Sequence, residues 1–540
     1  MKITKKIVCL LLALLMCLPL LFACKKDDGS PVDTTAAPSD GTSAPAAQSQ
    51  NGSDVTDELV EYDENGYMKD SLGNMDFGGK EIRILGWSEA GYDELDIKYE
   101  DIEGSVLGQQ VYNRNRRTEA RMKVKISVRE VAGNNGSYKK TYIPECEQAV
   151  TDRSVDVFAC YSMAATPLML QGYLADLRSF DTLDFEKPWW SADLVSRATL
   201  YDRLYFASGS IAPSFLASGF LTMFNKEMVD QYLYSNGATD EFDAEDLYAM
   251  VDNDTWTMDN FIKLAKNVTI QKTTKTVDDT YGYVCSVSCV DPWYQAADLV
   301  TLDNAPDGSA QISDDWNSAK AQDVVGKMYE FFMSNSAGVE AHMGEYRTES
   351  YQNAWGRGTA MFTTGTFSMV ASAVKGSGAI AEKGIGILPM PKYNSDQEEY
   401  LSTPGFAFTL YCINRNSDYT DACAATLECM ASEGYRSTEP ALYDTALKIQ
   451  STEGSDGAKD RAMMDLVRDS IRVDVGRIHN DTVKSLGWAM VRNSWYTDMR
   501  DGSPYSTYES FFASKRDSLE QALAQMNDTV YSIESVYGNG

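Results

Sequence analysis

Between residues 81 and 161 short apolar runs alternate with amphipathic stretches, and nothing else in this 540-residue chain restricts the fold so tightly. Glu81-Ile82-Arg83-Ile84-Leu85 is short and apolar-rich. Residues 105–121 carry a single glycine, Gly108, and residues 123–128 alternate Val124, Ile126 and Val128 on one face. A second helical stretch, residues 142–151, puts Ile143, Cys146 and Val150 together, and Val155-Asp156-Val157-Phe158-Ala159-Cys160 then reads as a buried strand. The order strand, helix, strand, helix, strand predicts an α/β fold with a parallel sheet covered by helices. Such sheets bind ligands beyond the carboxyl ends of their strands, which points to Gly86-Trp87-Ser88 and Tyr161-Ser162-Met163.

Farther along, Thr257 is placed to cap a helix, with Trp256 and Phe261 as a hydrophobic staple. Val324, Met328, Phe331 and Phe332 form another helical stripe. Leu519, Leu523, Met526, Val530, Ile533 and Val536 recur at steps of three and four, so the chain should end in a docked amphipathic helix. No repeat of fixed period occurs, which argues against solenoids and propellers. The evenly apolar part is about five hundred residues long, too long for one core at roughly 100 to 200 residues per domain, and two lobes are expected.

The amino terminus has an export layout: Lys2, Lys5 and Lys6, an apolar run from Ile7 to Leu21 broken by Pro19, then small residues. That run is shorter than the roughly 20 residues that span a bilayer. Leu21-Phe22-Ala23-Cys24 resembles a bacterial lipobox, which implies a signal peptide over residues 1–23 and a diacylglycerol on Cys24. Two or three acyl chains suffice to hold a protein on a membrane surface. Residues 24–75 are expected to be a flexible linker, since the stretch up to about residue 57 is Asp, Ser, Thr, Ala, Pro and Gly with little to bury. The formal charge of −31 disfavours a nucleic-acid partner, because phosphate neutralisation needs the opposite sign. Beyond the signal and Cys24 stand Cys146, Cys160, Cys285, Cys289, Cys412, Cys423 and Cys429. Their odd number and the lack of a Cys-x-x-Cys point to buried thiols rather than a disulfide framework or zinc ribbon.

Catalytic signatures are missing. His342 and His479 are the only histidines, neither with a second ligand at zinc spacing, and there is no Gly-x-Ser-x-Gly, phosphate-binding loop or His-Glu-x-x-His. No metal or cofactor is expected. Asp303, Asp307-Gly308 and Asp314 imitate parts of a calcium loop, but Ala305 occupies a ligand position; a hairpin between Val300-Thr301-Leu302 and Ala310-Gln311-Ile312, turning at Asp307-Gly308, fits better. Glycoside hydrolysis needs only two carboxylates about 5 to 9.5 Å apart, so a surface glycoside hydrolase is the alternative function.

Ordered landmarks bear on a family. Asp156-Val157-Phe158 precedes Gly172-Tyr173-Leu174-Ala175-Asp176-Leu177; Arg203-Leu204-Tyr205-Phe206-Ala207 precedes Met223-Phe224-Asn225-Lys226; Thr255-Trp256-Thr257-Met258 leads a helix; and Gly358-Thr359-Ala360-Met361 with Gly365 and Phe367 precedes Gly384-Ile385-Gly386-Ile387-Leu388-Pro389 and Gly405-Phe406-Ala407. In order and spacing the chain from Gly79 onward resembles the family 1 extracellular solute-binding proteins of ABC importers. Phe224 and Phe367 stand where that family usually has tyrosine and tryptophan, and the proline before Thr-Trp is absent. The resemblance implies a two-lobed periplasmic-binding-protein-like fold of type II, with discontinuous lobes joined by crossing strands. Residues 76–211 and 402–438 would form lobe 1, and residues 212–401 and 439–540 lobe 2. It implies a monomer on the extracellular face of the membrane. It would not be an enzyme but would pass a small molecule, an oligosaccharide, to the permease subunits of an ABC transporter.

Sugar recognition needs flat aromatic rings against pyranose faces and planar polar groups for hydroxyls. Position on loops after strands or beside glycine nominates Trp87, Tyr161, Ser162, Asp291, Trp293, Phe367, Gly405 and Phe406 as ligand-binding residues. Trp355, Trp488, Trp495 and Tyr496 are of second rank. The competing role for each ring is core packing, and with 31 Tyr, 19 Phe and 9 Trp in the chain the core has ample use for them.

Overall fold

The computed structural model of the protein describes residues 62–88, 96–97, 106–233, 242–268, 279–333, 341–344, 354–370, 378–405, 407–448, 455–484, 486 and 507–537. In chain order the strands are β1 (Lys80–Ser88), β2 (Val124–Ala132), β3 (Val157–Tyr161), β4 (Phe220–Asn225), β5 (Tyr281–Ser286), β6 (Leu302–Asn304), β7 (Ala310–Ile312), β8 (Ala341–Gly344), β9 (Ala360–Thr366), β10 (Ile385–Leu388) and β11 (Thr409–Ile413). Around them pack α1 (Val106–Met122), α2 (Ile143–Asp152), α3 (Ala165–Leu170), α4 (Ala192–Ala198), α5 (Pro213–Ala217), α6 (Met258–Asn267), α7 (Pro292–Ala296), α8 (Ala319–Met333), α9 (Thr420–Glu433), α10 (Glu439–Lys448), α11 (Ser455–Asp469), α12 (Val475–Ile478) and α13 (Tyr508–Tyr537).

The first lobe is built on the sheet β11-β3-β1-β2, in which β1 pairs in parallel with both β2 and β3. Helical crossovers dictate this, since a parallel neighbour cannot be reached by a hairpin. β11 arrives later in the chain and pairs antiparallel with β3, Leu410 opposite Cys160. β3 is buried along its whole length because sheet and helices cover both its faces. α9 lies between β11 and α1 with every side chain from Ala422 to Glu433 buried; its run of Ala, Cys and Ser allows close approach all round. Among the described residues all seven cysteines are buried free thiols, and Cys160 Sγ lies 3.5 Å from Cys412 Sγ.

The second lobe carries the sheet β10-β4-β9-β5-β8, with β4 antiparallel to β10 and β9, and β5 parallel to β9 and β8. Thr257 caps α6 by accepting from Asn260 N, and Trp256 meets Phe261 edge to face at 5.9 Å, as the staple requires. Around Phe261 gather Trp293 at 4.9 Å, Tyr283 at 5.2 Å, Phe362 at 5.4 Å and Phe331 at 5.9 Å, an aromatic core for this lobe. β6 and β7 form the antiparallel hairpin expected in place of a calcium loop, with Gly308 at φ +83° and the Asp307 carboxylate accepting from Ser309 N at 3.0 Å.

Three stretches of chain pass side by side between the sheets. Gly219 bridges Pro404, Gly405 N donates to Ser218 O at 2.8 Å, and Phe220 N donates to Thr403 O at 3.1 Å. The third stretch joins through Ser402 N to Ser470 O at 3.0 Å and Arg472 N to Ser402 O at 2.8 Å. These are the crossing strands of a two-lobed binding-protein fold.

Residues 62–75, expected within the linker, lie on lobe 1. The Asp70 carboxylate is nearly enclosed and accepts from Arg121 at 2.6 Å and from Ser432 Oγ, with Arg436 at 3.4 Å. A buried carboxylate persists only with such partners. Residues from 439 onward, assigned to lobe 2 by resemblance, also touch lobe 1: α10 packs on α1 and α5. Among the described residues no helix is long and apolar enough to cross a membrane. Cys24 lies outside the described residues.

Candidate functional site

Three rings meet at the carboxyl ends of β1, β2 and β3. Trp87, next to last in β1, sets its edge against Tyr161 at 5.2 Å and 73°, and Tyr138, from the loop after β2, lies 5.8 Å from Tyr161 at 37°. Gly133 backs this corner: a Cβ there would stand 2.5 Å from Trp87 Cβ and 3.0 Å from the Tyr142 ring, so only glycine lets the loop pass. Trp87 Nε1 donates to Thr409 Oγ1 at 2.9 Å, which fixes the rotation of the indole. The Tyr138 hydroxyl lies 3.1 Å from Asp481, which also takes Lys139 Nζ at 2.6 Å. Burial, reinforced by the Asp481 charge, pushes the Tyr138 phenol up to about 12, so it stays a neutral donor at physiological pH.

Ser162 is buried directly after Tyr161, and its N–H donates to Phe408 O at 3.0 Å. Gly405 lies in the second crossing, and Phe406 falls outside the described residues. Phe367 follows β9; its N–H donates to Gly219 O at 3.3 Å and its ring meets Tyr443 at 6.0 Å and 86°. Trp87, Tyr161 and Ser162 are thus brought together, buried, at one end of the lobe 1 sheet, while Phe367, also buried, and Gly405 lie along the crossings. Asp291 and Trp293 are elsewhere, buried in lobe 2, and Trp293 is enclosed by Phe261 and Tyr283 with no exposed edge. In this conformation its ring packs the core, because α7 lays it inward against α6. Trp355 is buried as well, while Trp488, Trp495 and Tyr496 lie outside the described residues.

Sequence reasoning missed Tyr138, Gly133, Thr409 and Asp96. A signal for the first two existed: Gly133-Asn134-Asn135-Gly136 follows a strand and therefore marks a loop at a carboxyl end. No local signal marks Thr409 or Asp96, whose roles come from partners hundreds of residues away or beyond a helix. Among the described residues no group of three His, Cys, Asp or Glu could hold a metal ion.

No protein-family model and no curated protein matches the chain. Solved structures do match. The structure of M. tuberculosis UspC aligns with a TM-score of 0.50 at 13% identity, over 83% of this chain and 100% of its own. The chain has the two-lobed fold of periplasmic solute-binding proteins. Two further likenesses are a cyclo/maltodextrin-binding protein complexed with maltotetraose and the galacto-N-biose-/lacto-N-biose I-binding protein of the ABC transporter from Bifidobacterium longum. The first has a TM-score of 0.48 at 11% identity, over 86% of this chain and 100% of that one. The second has 0.49 at 12%, over 86% and 99%. On this solute-binding-protein fold the aromatic corner belongs to lobe 1, Phe367 to lobe 2, and the three crossings lie at Gly219, Thr403 and Ile471.

Proposed function

We propose that the chain is the substrate-binding component of an ABC importer, held by a lipid on Cys24, that captures a carbohydrate between its lobes and signals occupancy by closing. It is a carrier and not an enzyme. The observation that supports this reading is the aromatic corner of Trp87, Tyr161 and Tyr138 at the carboxyl ends of the lobe 1 strands. Rigid rings offer area to the apolar face of a pyranose at small entropic cost, and clefts between lobes are where small molecules become surrounded. Closure follows if the ligand binds the closed form more tightly than the open one. Ser162, beside the corner in lobe 1, Phe367 from the other lobe and Gly405 from the second crossing are assigned to the same cleft, with Phe406 assigned by sequence alone; Asp291 and Trp293 support lobe 2 from within.

A thermal-shift screen over mono- and oligosaccharides tests the reading, because a sugar at 100 times its dissociation constant should stabilise by about 2.7 kcal/mol. Stabilisation that is lost in Trp87→Ala supports it. No response to any sugar defeats the carbohydrate assignment, and steady-state release of shorter sugars defeats the assignment as a carrier.

A further inference from the structure

One carboxylate touches two of the three chain stretches that pass between the lobes, near their lobe 1 ends. Asp96, in the stretch after β1, is buried, and its Oδ1 accepts from Ser214 N at 2.8 Å. Its Oδ2 accepts from Ser214 Oγ and from Thr409 Oγ1. Ser214 lies in α5 on the outgoing connection, and Thr409 is the first residue of β11 on the returning one. The proton count closes. Thr409 gives its hydroxyl proton to Asp96 and accepts from Trp87 Nε1; Ser214 gives its own to Asp96 and accepts from Thr409 N at 3.1 Å. Arg114, wholly buried, completes the set by donating to Asp96 O at 2.6 Å and to Ile211 O at 2.7 Å, again on the outgoing connection.

A carboxylate only accepts, so every donor around Asp96 is satisfied by it and by no neutral isostere. Asparagine would keep one acceptor and set its amide N–H groups against the Ser214 and Thr409 hydroxyls, whose protons would then lose their acceptor, a loss of the kind that buried networks tolerate poorly. We infer that Asp96 is the positioning residue that couples the aromatic corner to the hinge: displacement of Trp87 moves Thr409, and through Asp96 the first two of the three crossings move together. The inference rests on the lobe-closure reading above, and it adds the route by which contact at one lobe reaches the hinge.

Its test needs no ligand, so its outcome is independent of the sugar screen. Spin labels at Gln148→Cys on α2 and Lys263→Cys on α6 report the distance between lobes by double electron–electron resonance, the seven thiols of the described residues being buried. Asp96→Asn is expected to broaden that distance distribution relative to the parent. Trp87→Phe keeps a ring but removes the indole N–H, and it should broaden the distribution in the same way if the coupling runs through Thr409. Glu428→Gln is the control: it alters another buried carboxylate of lobe 1, one bonded to Trp189, Trp190 and Asp184 N and to neither connection, and should leave the width at the parental value. Should Asp96→Asn fail to fold, Trp87→Phe decides alone. A parental width in both Asp96→Asn and Trp87→Phe overturns the inference, as does equal broadening in Glu428→Gln.

Discussion

His479 shows how a single ring sets a pH limit. It is fully buried, and Thr166 Oγ1 gives its own proton to Ile478 O, so at 2.8 Å it accepts from His479 Nδ1. Nε2 has no partner among the described residues. Burial therefore favours the neutral ring and lowers its pKa from 6.5 to about 4. The folded state resists protonation that the unfolded chain accepts, so this stabilisation is complete above about pH 6.5 and is lost as pH falls toward 4. The loss amounts to about 3 kcal/mol. Urea midpoints measured from pH 7 to pH 4 should fall more steeply in the parent than in His479→Gln, and parallel curves would refute the assignment. Glu428 has the opposite character: burial raises it to about 7 although three N–H groups bond it. Its stabilising contribution falls as pH rises through that range. Urea midpoints followed from pH 5 to pH 8 should therefore fall in the parent relative to Glu428→Gln, whose amide takes on no charge; parallel curves would mean that burial does not raise this carboxyl. At this scale the sequence was readable only in part. The strand-end rule nominated Trp87, Tyr161 and Trp293 alike; the structure brings the first two together at one end of the lobe 1 sheet and packs Trp293 inside lobe 2, a difference set by the helix beside each ring and not visible in the sequence.

At the scale of elements the periodic signals were informative. β1, β3, α1, α2, the cap of α6, the β6–β7 hairpin and α13 all lie where apolar spacing and turn residues place them. β2 runs to Ala132, past the Val128 expected, because an edge strand with one neighbour can carry exposed Arg129 and Glu130 without breaking its ladder. Residues 62–75 fall within the expected linker, yet Asp63 accepts locally from Asn65 N and Tyr67 N while Asp70 finds Arg121 and Arg436 across the fold, partners too distant in sequence to be read from it. One contact between elements that composition hides is α6 on β5. A Cβ at Gly282 would lie 1.8 Å from Ala265 O, a backbone atom that cannot swing away. Gly282→Ala should therefore push α6 off the sheet and destabilise by about 1 to 3 kcal/mol, the usual cost of overpacking. Urea denaturation would show it, and a midpoint equal to the parent's would mean that α6 does not sit so close.

At the scale of the molecule from residue 62 onward, the lobes share more than the crossings. The β6–β7 hairpin leaves lobe 2 and rests on α4, with Asn304 Nδ2 donating to Ser196 O at 3.2 Å and Thr199 O at 3.0 Å. α13 covers that hairpin, its Asn527 bonded to both Ala310 N and Ala310 O, and extends to α3, where Ile533 meets Gly172. It also packs on α8 of lobe 2. A helix shared in this way makes the stability of each lobe depend on the same buried stripe of Leu519, Leu523, Met526 and Val530. Leu519→Ala leaves a cavity under that stripe and should cost about 2 to 5 kcal/mol. Hydrogen exchange locates where the cost falls. If α13 ties the lobes, the variant exchanges faster in α3 of lobe 1 and in α8 of lobe 2 alike. Faster exchange confined to one of them would show that α13 belongs to that lobe only, and that the crossings and the β6–β7 hairpin hold the halves together without it.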